Sequence, residues 1–278
     1  MFITRPRLFS MVCTMRGHGA DRYAYFDRPF IPLAHRGGIT EAAPVEVENS
    51  LRGFRAAWDF GYAHLETDVH VTADGLLVAF HDEVLDRVTD ASGRLADLPW
   101  AEVSRARIGG SEPIPRLADL LDALPHARFN IDLKAADAAD PLADTLARHG
   151  AFDRVCVGSF QRATIRAFRK LTGGRVATAA SPLEVGVFGL VPGLRSVWPL
   201  RGQAFQMPEH EPRTGARLLT RGMVDAAHRA GAVVHVWTIN DRPTMERLID
   251  LGVDGIVTDD LATLKAVLVE RDLWEGHA

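Results

Sequence analysis

Residues 63–82 read AHLETDVHVTADGLLVAFHD, and the fold turns on this stretch. Ala63–Val69 reads as a strand: Leu65, Thr67 and Val69 share one face and Glu66 and Asp68 the other. Two such neighbours stand about 6–7 Å apart at their alpha carbons. The aliphatic face suits a covering layer of helices, which leaves the carboxylates to the opposite face. His70 to Gly75 is too short for a helical crossover between parallel strands. The next apolar run, Leu76–Phe80, therefore returns as a hairpin or an extended segment, and it ends at His81–Asp82.

Outward from this stretch, short apolar runs recur at Ile31–Ala34, Ala127–Leu133, Arg154–Gly158, Arg175–Ala179, Ala204–Gln206, Val233–Thr238 and Gly255–Thr258. Amphipathic helical stretches separate most of them. Leu51, Phe54 and Trp58 repeat at helical spacing before Gly61, and Leu117, Leu120, Leu121 and Leu124 form a stripe behind Pro115. Met223, Ala226, Ala227 and Ala230 form a third stripe, closed by Gly231. Asp241-Arg242-Pro243 opens a last helix with Met245, Leu248 and Ile249 inward and Gly252 at its end. Strand–helix alternation predicts an α/β protein with a parallel sheet under helices. Nine strand candidates compete for the eight places of a TIM-type (β/α)8 barrel. No linker rich in Gly, Pro or Ser divides residues 31–265, which predicts one domain. A small insertion, about 83–115, follows the third strand, and a short tail spans 266–278.

Composition is compatible with this and removes other classes. The chain has 278 residues, 47% hydrophobic and 24% charged, with a formal charge of -4. There is no basic excess to grip nucleic acid and no apolar run long enough for a transmembrane segment. Two cysteines, Cys13 and Cys156, cannot build a disulfide framework. A cytoplasmic protein is expected. Residues 1–30 carry Arg5, Arg7, Arg16, Arg22 and Arg28 without periodicity and read as a poorly ordered leader. Leu8–Cys13 is too short for a signal-peptide core.

The informative polar residues fall at the carboxyl ends of the strands, the edge where barrels build active sites. The first strand ends in His35-Arg36-Gly37-Gly38, and Asn130-Ile131-Asp132-Leu133-Lys134 puts Asp132 and Lys134 on one face. Three clustered carboxylates, Glu66, Asp68 and Asp132, repel one another unless a cation holds them. Oxygen-only ligation suits one divalent cation, Ca²⁺ or Mg²⁺. Arg36 and Lys134 leave positive charge for an anion, and two histidines, His35 and His81, supply an acid–base pair. Asp132 and Lys134 can also simply pair with each other. The chemistry that uses all these parts is cleavage of a phosphate ester.

These residues resemble the glycerophosphodiester phosphodiesterase family. The likeness runs in order through Ala34-His35-Arg36-Gly37-Gly38, Glu48-Asn49-Ser50, Glu66-Thr67-Asp68-Val69, Asp74-Gly75 with Phe80-His81-Asp82, and Ile131-Asp132-Leu133-Lys134. It continues through Ser159-Phe160, Trp237-Thr238-Ile239-Asn240 and Gly252–Asp259. The resemblance implies a distorted eight-stranded barrel whose insertion partly covers the mouth. It implies His35 and His81 as general acid and base, Glu66, Asp68 and Asp132 as metal ligands, and Arg36 and Lys134 as phosphate ligands. Glu48 and Asn49 are then supporting residues, with Asn49 also placed to cap the following helix. Phe160 and Trp237, at later strand ends, suit a wall on the glycerol side or, equally, core packing. Asp132 departs from the family pattern, where Glu is commoner, by one methylene.

The implied activity is metal-dependent hydrolysis of a small-molecule glycerophosphodiester to glycerol 3-phosphate and an alcohol, in a chain that is compatible with a homo-oligomer. In the family the neighbouring glycerol hydroxyl attacks the phosphate, and water opens the resulting cyclic phosphate. The alternatives are a phospholipase D-like enzyme acting on lysophospholipid or sphingolipid head groups, and a non-catalytic phosphate-binding barrel. The apolar stretch Gly186–Leu194 suits an acyl chain, or a helix packed on the barrel. Glycoside hydrolysis ranks last, since it leaves both histidines and the Arg–Lys pair without a role.

Overall fold

The computed structural model describes residues 19–195, 197–211 and 214–277. Strand β1 (Ile31–Ile39) is followed by helix α1 (Leu51–Asp59), and β2 (His64–Val71) leads into the short β3 (Leu77–Ala79). β3 runs antiparallel to β2, with Val69 opposite Ala79. The Leu76–Phe80 run is thus the surplus ninth candidate, a hairpin arm lying off the barrel path.

Residues 83–115 form a compact insertion. It holds helix α2 (Trp100–Val103) and the antiparallel pair β4 (Arg107–Ile108) and β5 (Glu112–Pro113). Leu85, Leu95, Val103, Ile108 and Ile114 bury against Val78 and Phe80 of the hairpin, so the insertion has a small core of its own. The apolar residues of this segment lack a clean period because they meet at turns.

After α3 (Leu117–Ala123) the alternation is regular. It runs β6 (Arg128–Leu133), α4 (Ala139–Arg148), β7 (Val155–Gly158), α5 (Arg162–Leu171), β8 (Ala177–Thr178) and α6 (Pro182–Leu190). It ends with β9 (Ala204–Met207), α7 (Arg221–Arg229), β10 (Val233–Val236), α8 (Arg242–Leu251), β11 (Gly255–Asp260) and α9 (Leu261–Glu270). Eight parallel strands lie in the order β8-β7-β6-β2-β1-β11-β10-β9. The seam between β8 and β9 is closed by one bridge, Ala179 to Ala204, with the Gln203 N–H donating to Thr178 O at 2.7 Å. Gly202 is required there, since a Cβ would stand 2.4 Å from the Ala180 nitrogen.

Strand alternation sorts the side chains between two cores. Outward-facing Leu65, Val69, Phe129, Ile131, Val155 and Val157 bury under the helices. Helix ends follow their sequence signals: Asp241 accepts from the Thr244 N–H at the start of α8, and Gly252 closes it with φ 90°. The cap of α1 is Ser50, whose side chain accepts from the Gly53 N–H, and not Asn49. Asn49 has φ 58°, which turns its side chain onto Thr67 and Asp68 instead. No helix among the described residues is long and apolar enough to cross a membrane.

Residues 1–18 of the expected leader lie outside the described residues. Residues 19–30 are built into the barrel rather than loose. Two short helical turns, Ala20–Arg22 and Ala24–Phe26, bring Tyr25 against Cys156, Ala177 and Ala204. Tyr25 is fully buried, and its ring meets that of His64 edge-on at 5.0 Å. The tail is also corrected: α9 continues to Glu270, and beyond it His277 stacks on Trp58 at 3.8 Å while Trp274 packs edge-on against Tyr62.

Tyr25→Ala should lower the unfolding free energy by about 3 kcal/mol, the usual scale for deleting a buried aromatic ring. Burial raises the Cys156 thiol pKa, so in a Cys13→Ser background the native protein should resist thiol reagents. Tyr25→Ala should label readily. Equal labelling rates in the two proteins would show that this segment does not seal the barrel.

Candidate active site

The site begins at the end of β1, where the backbone turns. Arg36, Gly37 and Gly38 all have positive φ, at 51°, 93° and 66°. A Cβ on Gly37 would stand 2.9 Å from the backbone of Gly53, and one on Gly38 would stand 2.4 Å from Leu261. Glycine lets β1 bend between α1 and α9, and the bend points the Arg36 N–H at Glu66 Oε2, 3.1 Å away.

Strand β2 supplies the centre. Glu66 and Asp68 are only 7% and 2% exposed, side by side inside the barrel. Asp68 lies between two cations, Arg36 Nε at 3.3 Å and Lys134 Nζ at 2.9 Å, and also accepts from the Asn49 amide. Burial alone would raise its carboxyl pKa, but the Lys134 and Arg36 charges outweigh that and hold it below the ordinary value. Lys134 also binds Asp132 Oδ2 at 2.7 Å. The pairing of Asp132 with Lys134 thus exists, and Lys134 bridges two carboxylates. Burial still pushes Asp132 up, and these carboxylates raise the pKa of the ammonium they share. Glu66 has neither cation in contact. Burial and then the Asp68 charge push it up to about 7.

Each histidine is held through Nδ1 by a carboxylate. His35 Nδ1 is 2.7 Å from Asp259 Oδ1, while its Nε2 lies 3.9 Å from Glu66. Burial alone would lower the His35 pKa, but the Asp259 hydrogen bond and the Glu66 charge outweigh it. Asp259 is fixed in turn by the Asn240 amide at 2.8 Å. His81 Nδ1 is 2.5 Å from Asp82 Oδ1, and Arg87 of the insertion binds Asp82 and Glu48 at 2.5 Å each. Glu48 also accepts from Arg36 at 3.2 Å. The insertion is therefore tied to the mouth by Arg87. Opposite, Phe160 is 64% exposed, with its ring 6.1 Å from Trp237 and 5.7 Å from the Lys134 ammonium.

All eleven expected site residues thus meet at one end of the barrel. Asp82, Arg87, Asn240 and Asp259 join them without having been given a role. Asp82 and Asp259 stood in the motifs quoted above, but only the fold shows that each faces a histidine. Arg87 carries no local signal, since its partners are 5 and 39 residues away.

Among the described residues no group of three acidic, His or Cys side chains stands at metal-ligand spacing, and the Lys134 ammonium lies between Asp68 and Asp132. The donor chemistry nevertheless fits a hard cation. Glu66 is a buried carboxylate that accepts one N–H, from Arg36, and it stands beside Asp68, an all-oxygen donor set of the kind such ions take.

Residues 35–263 match the glycerophosphoryl diester phosphodiesterase family. The chain is 38% identical to the Mycobacterium tuberculosis protein named Probable glycerophosphodiester phosphodiesterase 2, over 88% of this chain and 93% of that one. It is 26% identical to a human lysophospholipase D, over 82% of each. Among solved structures, an Oleispira antarctica phosphodiesterase in complex with the product sn-glycerol-3-phosphate superposes with TM-score 0.72 at 22% identity, covering 88% of this chain and 99% of that one. An Agrobacterium tumefaciens glycerophosphodiester phosphodiesterase gives 0.69 at 23%, covering 85% and 99%. At such identities these two likenesses show the barrel fold, and the family match carries the rest. The chain belongs to the glycerophosphoryl diester phosphodiesterase family and is a phosphoric diester hydrolase on a TIM barrel.

Proposed function

We propose that the protein hydrolyses glycerophosphodiesters to glycerol 3-phosphate and an alcohol, with a divalent cation and a histidine pair. The observation that carries this reading is the pair of Nδ1–carboxylate contacts, His35 to Asp259 and His81 to Asp82, on either side of the Arg36–Lys134 cations. Each contact fixes the ring and leaves Nε2 to exchange a proton with substrate. Arg36 binds a phosphate oxygen through its guanidinium, and Lys134 adds a point charge. A Ca²⁺ or Mg²⁺ ion held by Glu66, Asp68 and Asp132 would supply further positive charge against the phosphate.

In the first step one histidine takes the proton of the glycerol hydroxyl next to the phosphate. That oxygen bonds to phosphorus while the bond to the leaving alkoxide breaks. The second histidine protonates the alkoxide, and the product is a cyclic phosphate. Water then opens the ring with the two histidines in exchanged roles. An internal nucleophile gains from proximity, which makes the glycerol unit a requirement. Phe160 and Trp237 wall that unit.

A second reading, cleavage of lysophospholipid head groups, draws support from the likeness to a human lysophospholipase D and from exposed Leu190 and Val191. Comparing glycerophosphocholine with lysophosphatidylcholine under equal conditions separates the two. The first reading expects turnover of the former to dominate.

Turnover should need added Ca²⁺ or Mg²⁺, stop with chelator, and fall about 100- to 10,000-fold in His35→Ala and in His81→Ala. Activity that survives chelator and both substitutions would sink the mechanism. Asp259→Asn keeps the shape but weakens the hold on His35, so kcat should fall about 100-fold with KM nearly unchanged. A loss confined to KM would assign Asp259 to substrate binding instead.

A further inference from the structure

The charge of the chain is unevenly placed. Between Arg154 and Pro208 stand eight Lys or Arg residues and a single acid, Glu184, in a chain whose overall formal charge is -4. Glu184 is buried and used: it completes the capping box of α6 with Ser181 and accepts from the Arg201 N–H at 2.6 Å. Four of the cations are also occupied. Arg154, Arg169, Arg175 and Arg195 all donate to backbone carbonyls. Arg162, Arg166, Lys170 and Arg201 have no hydrogen bond or ion pair through their side chains among the described residues. The first three recur every fourth residue along α5, on one exposed helix face.

These four line a groove of about 590 Å³ between α5 and the segment that follows α6, remote from the histidines and carboxylates of the active site. Leu183 and Trp198 line it as well. Leu190, Val191, Leu194 and Val197, in the segment that leads to the lining residue Trp198, are exposed, the last at 73%. Gly189 packs on Leu218, in the loop after the carboxyl end of β9, and Arg195 donates to Gly222 O in the first turn of α7. The groove is also lined by Tyr23 and by Gly173 and Gly174 beyond the end of α5.

Exposed aliphatics beside unpaired cations, with no exposed acid among them, are complementary to an anionic lipid surface. The side chains of Leu190, Leu194 and Val197 can enter the apolar layer while the groove cations meet the phosphates. A soluble anion would use the cations and leave the aliphatics exposed. A neutral apolar partner would leave four charges without a counterpart. We infer that this face docks the protein on an anionic membrane.

The test is sedimentation of the full chain with vesicles of phosphatidylcholine alone or mixed with phosphatidylglycerol. Binding is expected only to the mixed vesicles, and it should weaken as salt rises. Arg166→Gln and Arg201→Gln should each weaken it about fivefold, and Val197→Asp with Leu194→Asp at least tenfold. All four positions are at the surface, so thermal midpoints should match the parent. Equal binding to both vesicle types, no binding to either, or loss with the Arg variants but not the Asp variants would overturn the inference. Displacement by millimolar inorganic phosphate would also overturn it, by assigning the groove to a soluble anion. The readout is binding, so the inference stands or falls apart from the phosphodiesterase reading.

Discussion

Two carboxylates, Glu66 and Asp68, are held out of water at one end of the barrel beside the partly buried Asp132, and the arrangement of the site follows from that constraint. A buried charge is tolerated only when partners replace its water. Asp68 has these partners in Arg36, Lys134 and Asn49. Lys134 is shared with Asp132, so one ammonium serves two acids. Glu66 has a single backbone donor, the Arg36 N–H, and burial with the Asp68 charge beside it raises its pKa.

The backbone around this cluster is shaped to serve it. The left-handed turn at Arg36 through Gly38 puts a peptide N–H on Glu66 and a guanidinium near Asp68 at once. β1 lies between β2 and β11, so His35 can reach Glu66 on one side and Asp259 on the other. The first and last barrel strands thus complete each other's chemistry. On the far side of the mouth, Arg87 of the insertion binds the carboxylate that orients His81 and the carboxylate that holds Arg36. His35 is thus held by a residue of another strand, and the carboxylate that holds His81 is fixed from the insertion.

The barrel interior changes character along its axis. Toward the base, Tyr25 packs with small residues, Cys156, Ala177 and Ala204, where a chain segment closes the opening. Midway, Gln206 donates to Asn130 at 2.6 Å and approaches His235 at 3.5 Å, a polar layer under the carboxylates. Burial lowers the His235 pKa to about 4, which keeps this layer neutral. The charge is thereby confined to the mouth, where substrate can reach it.

Much of this was legible in the sequence. Alternation with a period of two placed Glu66 and Asp68 on one face, and the recurrence of strand and helix made a barrel the economical solution. Strand ends then collected the histidines and cations. Periodicity says which face a side chain takes, but not which side chain of another element it meets. The cap moved from Asn49 to Ser50 because a positive φ turned Asn49 inward. Arg87 was silent because its partners are remote in sequence, and residues 19–30 were misread because a short plug without helical or strand repeat has no period. The sequence by itself determined the barrel, its active edge and the chemical types gathered there, since these follow from local alternation. Only the tertiary structure decided which carboxylate holds which histidine and which cation neutralises which acid. Those outcomes depend on distances between strands far apart along the chain.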